Sequence, residues 1–330
     1  MTLEGRRVLV TGADGFIGSH LTEALIESGA DVRAFCFYNS NGSLGWLDRS
    51  HLPVRELADI RLGDVRDARF VENACEEIEI VFHLAALIAI PYSYTAPASF
   101  VETNVVGTLN VLEAVRRQGC RRLVHTSTSE VYGTPDRLPI TEGHPLKGQS
   151  PYSATKIAAD KLAEAYFSSF GVPVVTLRPF NTYGPRQSAR AVIPNILAQL
   201  LAGRKEIALG NTMPKRDLTF VRDCVRGFLA AGTAEGVEGQ TIQLGTGRTH
   251  SIAEIFQAAC AACGVLASIR QETERMRPEK SEVMVLQSDP SLARKTLGWQ
   301  SEVELEEGLS MTADWMRENL TSFTPSEYAI

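Results

Sequence analysis

Short apolar runs alternate with amphipathic stretches through the first half of the chain. Arg7–Thr11 is apolar and β-branched, which predicts a buried parallel strand. Ser19–Ser28 has the pattern of an amphipathic helix, which Gly29 ends. The same reasoning predicts strands at Val32–Phe37, Ile60–Gly63, Ile78–Leu84, Leu123–His125 and Val172–Arg178, and helices over Thr95–Arg117 and Tyr152–Phe170. This alternation predicts an α/β fold, a Rossmann-type doubly wound parallel sheet.

The pattern becomes less regular after residue 186. It predicts helices over Ile193–Gly203, Asp223–Ala231 and Ser251–Cys263, and short strands at Asp217–Val221 and Thr241–Leu244. We expect a dinucleotide-binding domain over residues 1–180, to which segments near 217–250 return. A smaller mixed α/β substrate lobe is expected from residues 181–216 and 251–330, so the chain crosses between the two parts several times.

A glycine-rich turn joins the first strand to the first helix. Gly12 permits the tight turn, Gly15 lets the backbone approach a pyrophosphate, and Gly18 lets the helix pack closely on the sheet. The helix N-terminus, with Phe16 and Ile17, would face the phosphates with its dipole. A strand, a glycine turn and a helix in this order indicate a dinucleotide site, and glycines that only turn a βα unit are the alternative.

Further cofactor candidates lie at the ends of the later strands. Residues 36–40, at the end of the second strand, contain neither an acid for the ribose of NAD nor a base for the phosphate of NADP. We expect NAD, with NADP possible. Asp64 is a candidate acceptor for an adenine amino group, or a cap of the following helix. The other candidates are Val65, Leu84, the small residues Ala85 and Ala86, and Thr126.

Asn104 is polar where its neighbours look buried. One interpretation is a buried amide whose hydrogen bonds are satisfied by the protein. The other is support of a catalytic lysine through water. The sequence does not decide between them, and we count Asn104 among the cofactor-site candidates.

Length and charge narrow the class of protein. The chain has 330 residues, enough for a large core, and a net charge of −6, which argues against a nucleic-acid surface. No apolar run is long enough to cross a bilayer, and the first strand begins too early for a signal peptide, so we expect a cytoplasmic protein. Cys260 and Cys263 have a metal-like spacing without partners, so we interpret them as packing residues and expect no metal.

Hydroxyls, a carboxylate, a phenol and an amine are concentrated between residues 123 and 156. The strand Leu123–His125 leads into a polar cluster that contains Thr128 and Glu130. Tyr152 and Lys156 are four residues apart, on one face of a helix. A nearby ammonium favours the phenolate and lowers the pKa of a tyrosine from about 10, which predicts a tunable base.

These motifs together resemble the extended short-chain dehydrogenase/reductase family. The matching stretches are GADGFIG at 12–18 with its preceding threonine, HLAA at 83–86, STSEVYG at 127–133, YSATK at 152–156, RPFNTYGPR at 178–186 and KRDLTFVRD at 215–223. The resemblance implies that Tyr152 is the acid or base at a sugar hydroxyl. It also implies that Lys156 tunes Tyr152 and that the hydroxyl of Thr128 assists. Family members pair the two long helices as a four-helix bundle, so we expect a homodimer.

Glu130 distinguishes between activities within this family. A carboxylate after the hydroxyl pair resembles the nucleotide-sugar 4,6-dehydratases, and Thr128-Ser129-Glu130 resembles their GDP-mannose members. Arg277-Pro278 with Glu282-Val283 is similar to the same type. The stretch from Tyr38 to Leu47 resembles a branch that acts on UDP- or GDP-linked N-acetylglucosamine, in pathways to legionaminic-acid-type sugars. The resemblance implies a nucleotide-sugar substrate, with Asn181, Arg186, Asn195, Arg216, Arg277 and Glu282 as candidate substrate-binding residues.

Several other activities remain open. UDP-glucuronate decarboxylases also carry Ser-Glu after the threonine, and a 5,6-dehydratase or a 4-epimerase would use the same fold. A regulatory dinucleotide-binding protein without activity would tolerate loss of Tyr152 or Lys156, and the presence of both together with Glu130 counts against it. Whether Glu130 alone or Glu130 with Ser129 handles the proton transfers also stays open.

Overall fold

A seven-stranded parallel sheet forms the larger part of the protein. The computed structural model describes residues 2–275 and 282–323. Its main strands are β1 (Arg7–Thr11), β2 (Asp31–Phe37), β3 (Ala58–Gly63), β4 (Ile80–His83), β5 (Arg122–Thr126), β6 (Val174–Pro179) and, later in the chain, β11 (Thr241–Leu244). The spatial order is β11-β6-β5-β4-β1-β2-β3, and every neighbouring pair is parallel. The predicted Rossmann-type sheet is therefore confirmed.

Helices connect these strands. They are α1 (Phe16–Glu27), α2 (Val54–Leu57), α3 (Ala68–Ala74), α4 (Ile90–Thr95), α5 (Pro97–Phe100), α6 (Gly107–Gln118), α7 (Pro151–Phe170), α8 (Val192–Leu201), α9 (Val221–Thr233), α10 (Ile252–Cys263), α11 (Ser291–Leu297) and α12 (Leu305–Glu318). The helix α12 has no counterpart among the sequence predictions. It packs against α10 and α8, so its apolar stripe completes the core of the second half of the chain.

Local signals explain where the helix of the catalytic motif begins and ends. Ser150 caps α7, because its hydroxyl accepts the N–H of Ser153 while the Ser153 hydroxyl accepts the N–H of Ser150. Pro151 occupies the first turn, where no N–H is needed, and Gly171 ends the helix in the left-handed conformation. Tyr152 and Lys156 therefore lie in the first turns of a well-defined helix.

The predicted helix Thr95–Arg117 is wrong in detail. Thr95 is the last residue of the separate helix α4, and the long helical segment starts only at Pro97. The part of this segment from Val101 to Val106 is π-helical. The segment continues as α6, and Gly119 ends it in the left-handed conformation. Single π-helical turns inside longer helices occur frequently at functional sites. Here the turn contains Asn104.

Three small sheets accompany the second half of the chain. The strands are β7 (Thr182–Tyr183), β8 (Glu206–Leu209), β9 (Lys215–Arg216), β10 (Thr219–Phe220), β12 (His250–Ser251), β13 (Ser268–Gln271) and β14 (Val285–Leu286). β7 pairs with β10, β8 with β13, and β9 lies between β12 and β14. The predicted strand Asp217–Val221 is shorter than expected, because the helix α9 already begins at Val221. β11 returns to the edge of the main sheet between these segments.

Candidate active site

The glycine turn after β1 forms a cradle that side chains would fill. A Cβ atom on Gly12 would lie 2.9 Å from the backbone of Ala85, and one on Gly18 would lie 2.0 Å from the Gly12 carbonyl oxygen. Gly12 also has a φ of 71°, which favours glycine. The helix α1 starts after Gly15 without a side-chain cap. Its first N–H groups therefore suit an external anion, and the turn fits the pyrophosphate of a dinucleotide.

The segment after β4 is held beside this turn by a threonine and a histidine. The Thr11 hydroxyl oxygen accepts the backbone N–H groups of Leu84 and Ala85, both at 3.2 Å. The same hydroxyl lies 2.8 Å from Nδ1 of His83. Burial lowers the pKa of His83 well below its ordinary value, so the imidazole is neutral and accepts the hydroxyl proton. Leu84 to Ala86 are half-buried and line the approach to the glycine turn.

Asn104 connects this segment to the helix α7. Its side-chain oxygen accepts the N–H of Leu87 at 2.8 Å, and its Nδ2 donates to the Leu87 carbonyl at 2.9 Å and to the Thr155 hydroxyl at 3.1 Å. Asn104 is 1% exposed. These contacts agree with the interpretation of Asn104 as a satisfied buried amide. They also connect Leu87 to Thr155, the residue directly before Lys156.

Asp64 lies after β3 and is paired with Arg66. Its carboxylate accepts the backbone N–H of Arg66 at 2.9 Å and the guanidinium at 2.6 Å, and this hydrogen bonding lowers the pKa of Asp64. The prediction that Asp64 caps the next helix is wrong, because Asp67 accepts the first free N–H groups of α3. Val65 is buried, and its side chain packs against Gly107 in α6.

Tyr152, Thr128 and Glu130 meet between the carboxyl end of β5 and the start of α7. Thr128 and Glu130 are both near enough to the phenol of Tyr152 to affect its pKa. Burial raises the pKa of Tyr152 above its ordinary value, the bond from Thr128 opposes the rise, and the negative charge of Glu130 adds to it. The Thr128 hydroxyl and the Glu130 carboxylate therefore both lie in the surroundings of the Tyr152 phenol.

Lys156 lies one turn further along α7 and is directed at the backbone. Its ammonium donates to the carbonyl oxygen of Thr126 at 2.6 Å, and burial lowers the pKa of Lys156 to about 8 against the opposing charge of Asp160. The protein by itself does not show the lowered phenol pKa that the sequence predicts, because burial of Tyr152 outweighs the other effects. The Thr126 hydroxyl oxygen is buried and has no hydrogen-bond partner in the described ranges.

The three residues of the Thr-Ser-Glu motif differ in exposure. Thr128 and Glu130 are half-buried, whereas Ser129 is 2% exposed. The Thr128 hydroxyl accepts the N–H of Glu130 at 3.2 Å and starts the short 3-10 helix Ser129–Tyr132.

The candidate substrate residues lie in several segments of the second half. Nδ2 of Asn181 donates to the Asp217 carbonyl at 3.4 Å, and the side-chain oxygen of Asn195 in α8 accepts from Gln199 at 2.8 Å. Arg216 in β9 is 8% exposed and donates to the carboxylate of Glu282 at 3.1 Å. Arg277 lies outside the described residues.

Arg186 has a partner that the sequence does not predict. Its guanidinium donates to both carboxylate oxygens of Glu23 in α1, at 3.0 and 2.8 Å, and to the Ser19 hydroxyl at 3.2 Å. Arg186 is 6% exposed and has a φ of 69°. These contacts do not favour the expected role of Arg186 in substrate binding, because its guanidinium joins the segment after β7 to the first helix.

Sequence reasoning missed a buried polar cluster beneath Lys156. Its members are Asp160 in α7, His125 and Ser127 at the end of β5, and Arg178 in β6. One signal was available: Asp160 follows Lys156 by four residues and so lies on the same helix face. Its partners come from other strands, and no spacing in the sequence indicates them.

Comparison with known proteins finds nucleotide-sugar 4,6-dehydratases and 4-epimerases that are similar to this chain. The family described as GDP-mannose 4,6 dehydratase matches residues 9–312. A UDP-glucose 4-epimerase from Mycolicibacterium smegmatis is 35% identical, covering 94% of this chain and 98% of the relative. A dTDP-glucose 4,6-dehydratase from an Actinoplanes species is 34% identical, covering 96% and 100%. The crystal structure of a dTDP-glucose 4,6-dehydratase from Streptomyces venezuelae with NAD bound has a TM-score of 0.86 and 30% identity, covering 97% of this chain and 100% of the other.

The fold and the site define an NAD-dependent enzyme of the extended short-chain dehydrogenase/reductase class. Within that class the chain belongs to the GDP-mannose 4,6 dehydratase family of nucleotide-sugar dehydratases and epimerases. The described residues contain no cluster of histidine, cysteine or acidic side chains fit to hold a metal ion. In the same ranges, no helix has the length and apolar character needed to span a membrane.

Proposed function

We propose that this protein is a nucleotide-sugar 4,6-dehydratase that forms a 4-keto-6-deoxy sugar. The observation that carries the proposal is that Thr128 and Glu130, joined by the hydrogen bond from the Glu130 N–H to the Thr128 hydroxyl at 3.2 Å, are both near enough to the Tyr152 phenol to affect its pKa. Exchange of a hydride and a proton at carbon 4 needs only a hydroxyl, the tyrosine and the lysine. A carboxylate at the same place supplies the additional base that elimination of water requires.

The first half of the reaction needs a base at the 4-hydroxyl. NAD held at the glycine turn of Gly12, Gly15 and Gly18 would supply the hydride chemistry at carbons 4 and 6. Tyr152 removes the 4-hydroxyl proton, and the Thr128 hydroxyl stabilises the developing phenolate. The ammonium of Lys156 favours the same charge.

The second half of the reaction needs a base at carbon 5 and an acid at carbon 6. The 4-ketone acidifies the hydrogen on carbon 5, and Glu130 takes it. Water leaves across carbons 5 and 6 once the 6-hydroxyl is protonated, and carbon 5 takes up a proton that derives from solvent when the hydride is returned to carbon 6. The burial of Ser129 supports Glu130 as the group that delivers this proton too, because Ser129 is turned away from the open side. Each such transfer contributes about 10²–10⁴-fold in rate.

We infer UDP- or GDP-linked N-acetylglucosamine as the substrate. The support is the resemblance of the stretch from Tyr38 to Leu47 to that branch. In the structure the backbone N–H of Trp46 donates to the Asp14 carbonyl of the glycine turn at 3.0 Å, so this stretch packs against that turn. The support for the branch is the resemblance alone, and the stretch does not itself select the sugar. Arg216 and Glu282, together with Asn181, are the proposed nucleotide-side residues in the lobe.

Glu130→Gln tests the proposal, because it keeps the shape of the side chain and removes the base. Oxidation at carbon 4 should survive, so the variant should accumulate reduced cofactor and ketone. Loss of water should slow by roughly 10²-fold or more. Mass spectrometry of products from UDP-N-acetylglucosamine measures the water loss, and wild-type product formed in deuterated water should carry deuterium at carbon 5.

Glu79→Gln is the matched control. Glu79 pairs with Arg6 at the opposite, amino-terminal edge of the sheet, so this variant should dehydrate at the wild-type rate. If Glu130→Gln also dehydrates at that rate, the carboxylate is structural. The second candidate, a 4-epimerase, then gains support, as the similarity to UDP-glucose 4-epimerase allows. An epimeric product without loss of water would establish it.

We also propose a homodimer that forms through a four-helix bundle. Exposed apolar side chains support it: Val101 is 48% exposed, Val106 40%, Phe167 38% and Phe170 58%. They lie on the segment before α6 and on α7. Light scattering at micromolar concentration should give twice the monomer mass, and Val106→Glu should give the monomer. Leu266→Glu, at a 90% exposed position outside both helices, should leave the dimer intact. A wild-type monomer would contradict the proposal.

A further inference from the structure

The buried cluster beneath Lys156 has one charged pair at its centre. The Asp160 carboxylate accepts from Nε and Nη2 of Arg178, at 3.1 and 2.8 Å. Both side chains are 5% exposed. Burial acts to raise the pKa of Asp160, but the hydrogen bond from His125 and the charge of Arg178 hold it below its ordinary value. Asp160 is therefore ionised at neutral pH, and the pair is a buried ion pair.

This ion pair contacts both ends of the loop that carries the catalytic groups. We call residues 127–132 the catalytic loop. At its start, the Ser127 hydroxyl donates to the Asp160 carboxylate at 2.8 Å. At its end, Nη1 of Arg178 donates to the phenol oxygen of Tyr132 at 2.9 Å, and the guanidinium lies 5.1 Å from the Tyr132 ring centre. The remaining members of the loop, among them Thr128 and Glu130, lie between the two contacts.

A second donor holds the Tyr132 end. Nε2 of Gln243, in β11, donates to the Tyr132 phenol oxygen at 3.1 Å, and both side chains are 0% exposed. Burial raises the pKa of Tyr132 to about 12, so its phenol stays protonated while it accepts both bonds. The loop end is therefore bound to two strands of the main sheet, β6 and β11, and the loop start is bound to the helix α7.

We propose that the Asp160–Arg178 ion pair sets the distance of Thr128 and Glu130 from Tyr152. The catalytic loop follows β5, whereas Tyr152 and Lys156 belong to α7, so the two groups share no backbone element. Asp160 lies on α7 and binds the loop directly, and Arg178 transfers the same connection to the other loop end. The pair is thus a positioning device, and neither residue takes part in a chemical step. The proposal rests on the proposed function where it concerns Glu130.

The two ends of the loop should control different steps. Thr128 follows Ser127 directly, so loss of the Ser127 contact should displace the hydroxyl that assists oxidation at carbon 4. Glu130 is nearer to Tyr132, so loss of the Tyr132 contact should displace the base that acts at carbon 5. A displacement of about 1 Å at a reacting group can cost up to about 10²-fold in rate. We expect a tenfold loss in each case, in opposite halves of the reaction.

Ser127→Ala and Tyr132→Phe test this inference, because each removes one hydroxyl and leaves the ion pair in place. Single-turnover experiments with the NAD-loaded enzyme should show slower cofactor reduction in Ser127→Ala. Tyr132→Phe should reduce the cofactor at a near wild-type rate and then eliminate water about tenfold more slowly. Conservative Ser127→Thr should restore part of the lost oxidation rate, because it keeps a hydroxyl.

Tyr183→Phe is the matched control. Tyr183 is 1% exposed, and its hydroxyl donates to the Leu305 carbonyl at 3.4 Å, outside the cluster. It should lose stability as Tyr132→Phe does, without altering the balance of the two half-reactions. If Tyr132→Phe does not fold, Ser127→Ala alone decides the inference.

The failures of this inference and of the proposed function can be told apart. Slow elimination in Glu130→Gln with unchanged half-reactions in both Ser127→Ala and Tyr132→Phe would overturn the positioning role and leave the proposed function standing. Equal slowing of both half-reactions in both variants would also overturn it, because it would indicate general loosening. If Glu130→Gln has no effect, the proposed function fails, while a selective oxidation defect in Ser127→Ala still supports the role of the ion pair at Thr128.

Discussion

Two buried cations in this protein differ in how their charge is compensated. Arg186, at the junction between the second half of the chain and α1, has both carboxylate oxygens of Glu23 as partners. Lys156, in the active site, binds one backbone carbonyl, and no ion pair to it occurs in residues 2–275 and 282–323. Their exposures are similar, 6% and 4%.

The difference distinguishes a structural ion pair from a charged group of the active site. A buried charge costs several kcal/mol unless a partner compensates it, so the scaffold neutralises Arg186. The site leaves Lys156 under-compensated, which is why burial lowers its pKa to about 8. Such perturbed groups concentrate at functional sites, because a charge that is incompletely neutralised can act on a reacting group. The protein gives up stability at Lys156 to obtain this effect.

The largest expected effect concerns the phenol next to Lys156. Tyr152→Phe should lower turnover by about 10²–10⁴-fold, because it removes the proton acceptor, and the dissociation constant of NAD should stay nearly unchanged. Steady-state kinetics and calorimetric NAD titration measure the two quantities. Tyr166→Phe is the control on the same helix, because its hydroxyl binds Glu113 instead. Near-normal turnover of Tyr152→Phe would contradict the assignment of Tyr152 as the proton acceptor. Loss of NAD binding as the main defect would also contradict it.

A second experiment breaks the compensated pair. Arg186→Met leaves the Glu23 carboxylate buried without its partner, which should lower the free energy of unfolding by about 3–5 kcal/mol. Urea denaturation measures the loss. The double variant Glu23→Met with Arg186→Met should recover most of it, because no buried charge remains. A large rise in KM with little loss of stability would instead place Arg186 at the substrate, as the sequence suggests.

The smallest expected effect is a gain in stability on replacement of Lys156, and its size depends on pH. A fall in the pKa of Lys156 from 10.5 to about 8 corresponds to a cost of roughly 3 kcal/mol when the amine is charged in the folded protein. Below pH 8 the amine is protonated in both states and the cost is complete. Between pH 8 and 10.5 the unfolded chain holds more protons, so stability rises with pH.

Lys156→Met removes this dependence. The stability of Lys156→Met minus that of the wild type should therefore fall by about 2–3 kcal/mol between pH 7 and 10. At pH 7 the variant should be the more stable protein by about 1 kcal/mol, because the uncovered Thr126 carbonyl offsets part of the gain. Urea denaturation of the NAD-free proteins at several pH values measures the difference. A difference that stays constant with pH would show that Lys156 is fully compensated.

Local spacing in the sequence was enough to predict much of the architecture and the identity of the principal side chains. The turn with Gly12 and Gly18 can be predicted from a few neighbouring residues, because glycine is needed where backbone segments nearly touch. The parallel strands are equally local, since a short apolar run indicates a strand buried on both faces. Tyr152 and Lys156 share a helix face by their spacing alone.

Tertiary structure decided which of these groups are charged and what they contact. Arg186 and Glu23 are 163 positions apart, and the partners of Asp160 come from β5 and β6, so no local pattern could indicate them. The pKa of Tyr152 was predicted with the wrong sign, because spacing shows the nearby lysine but not the depth of burial. Contacts between distant segments depend on how the elements pack, and burial sets the free energy of each charge.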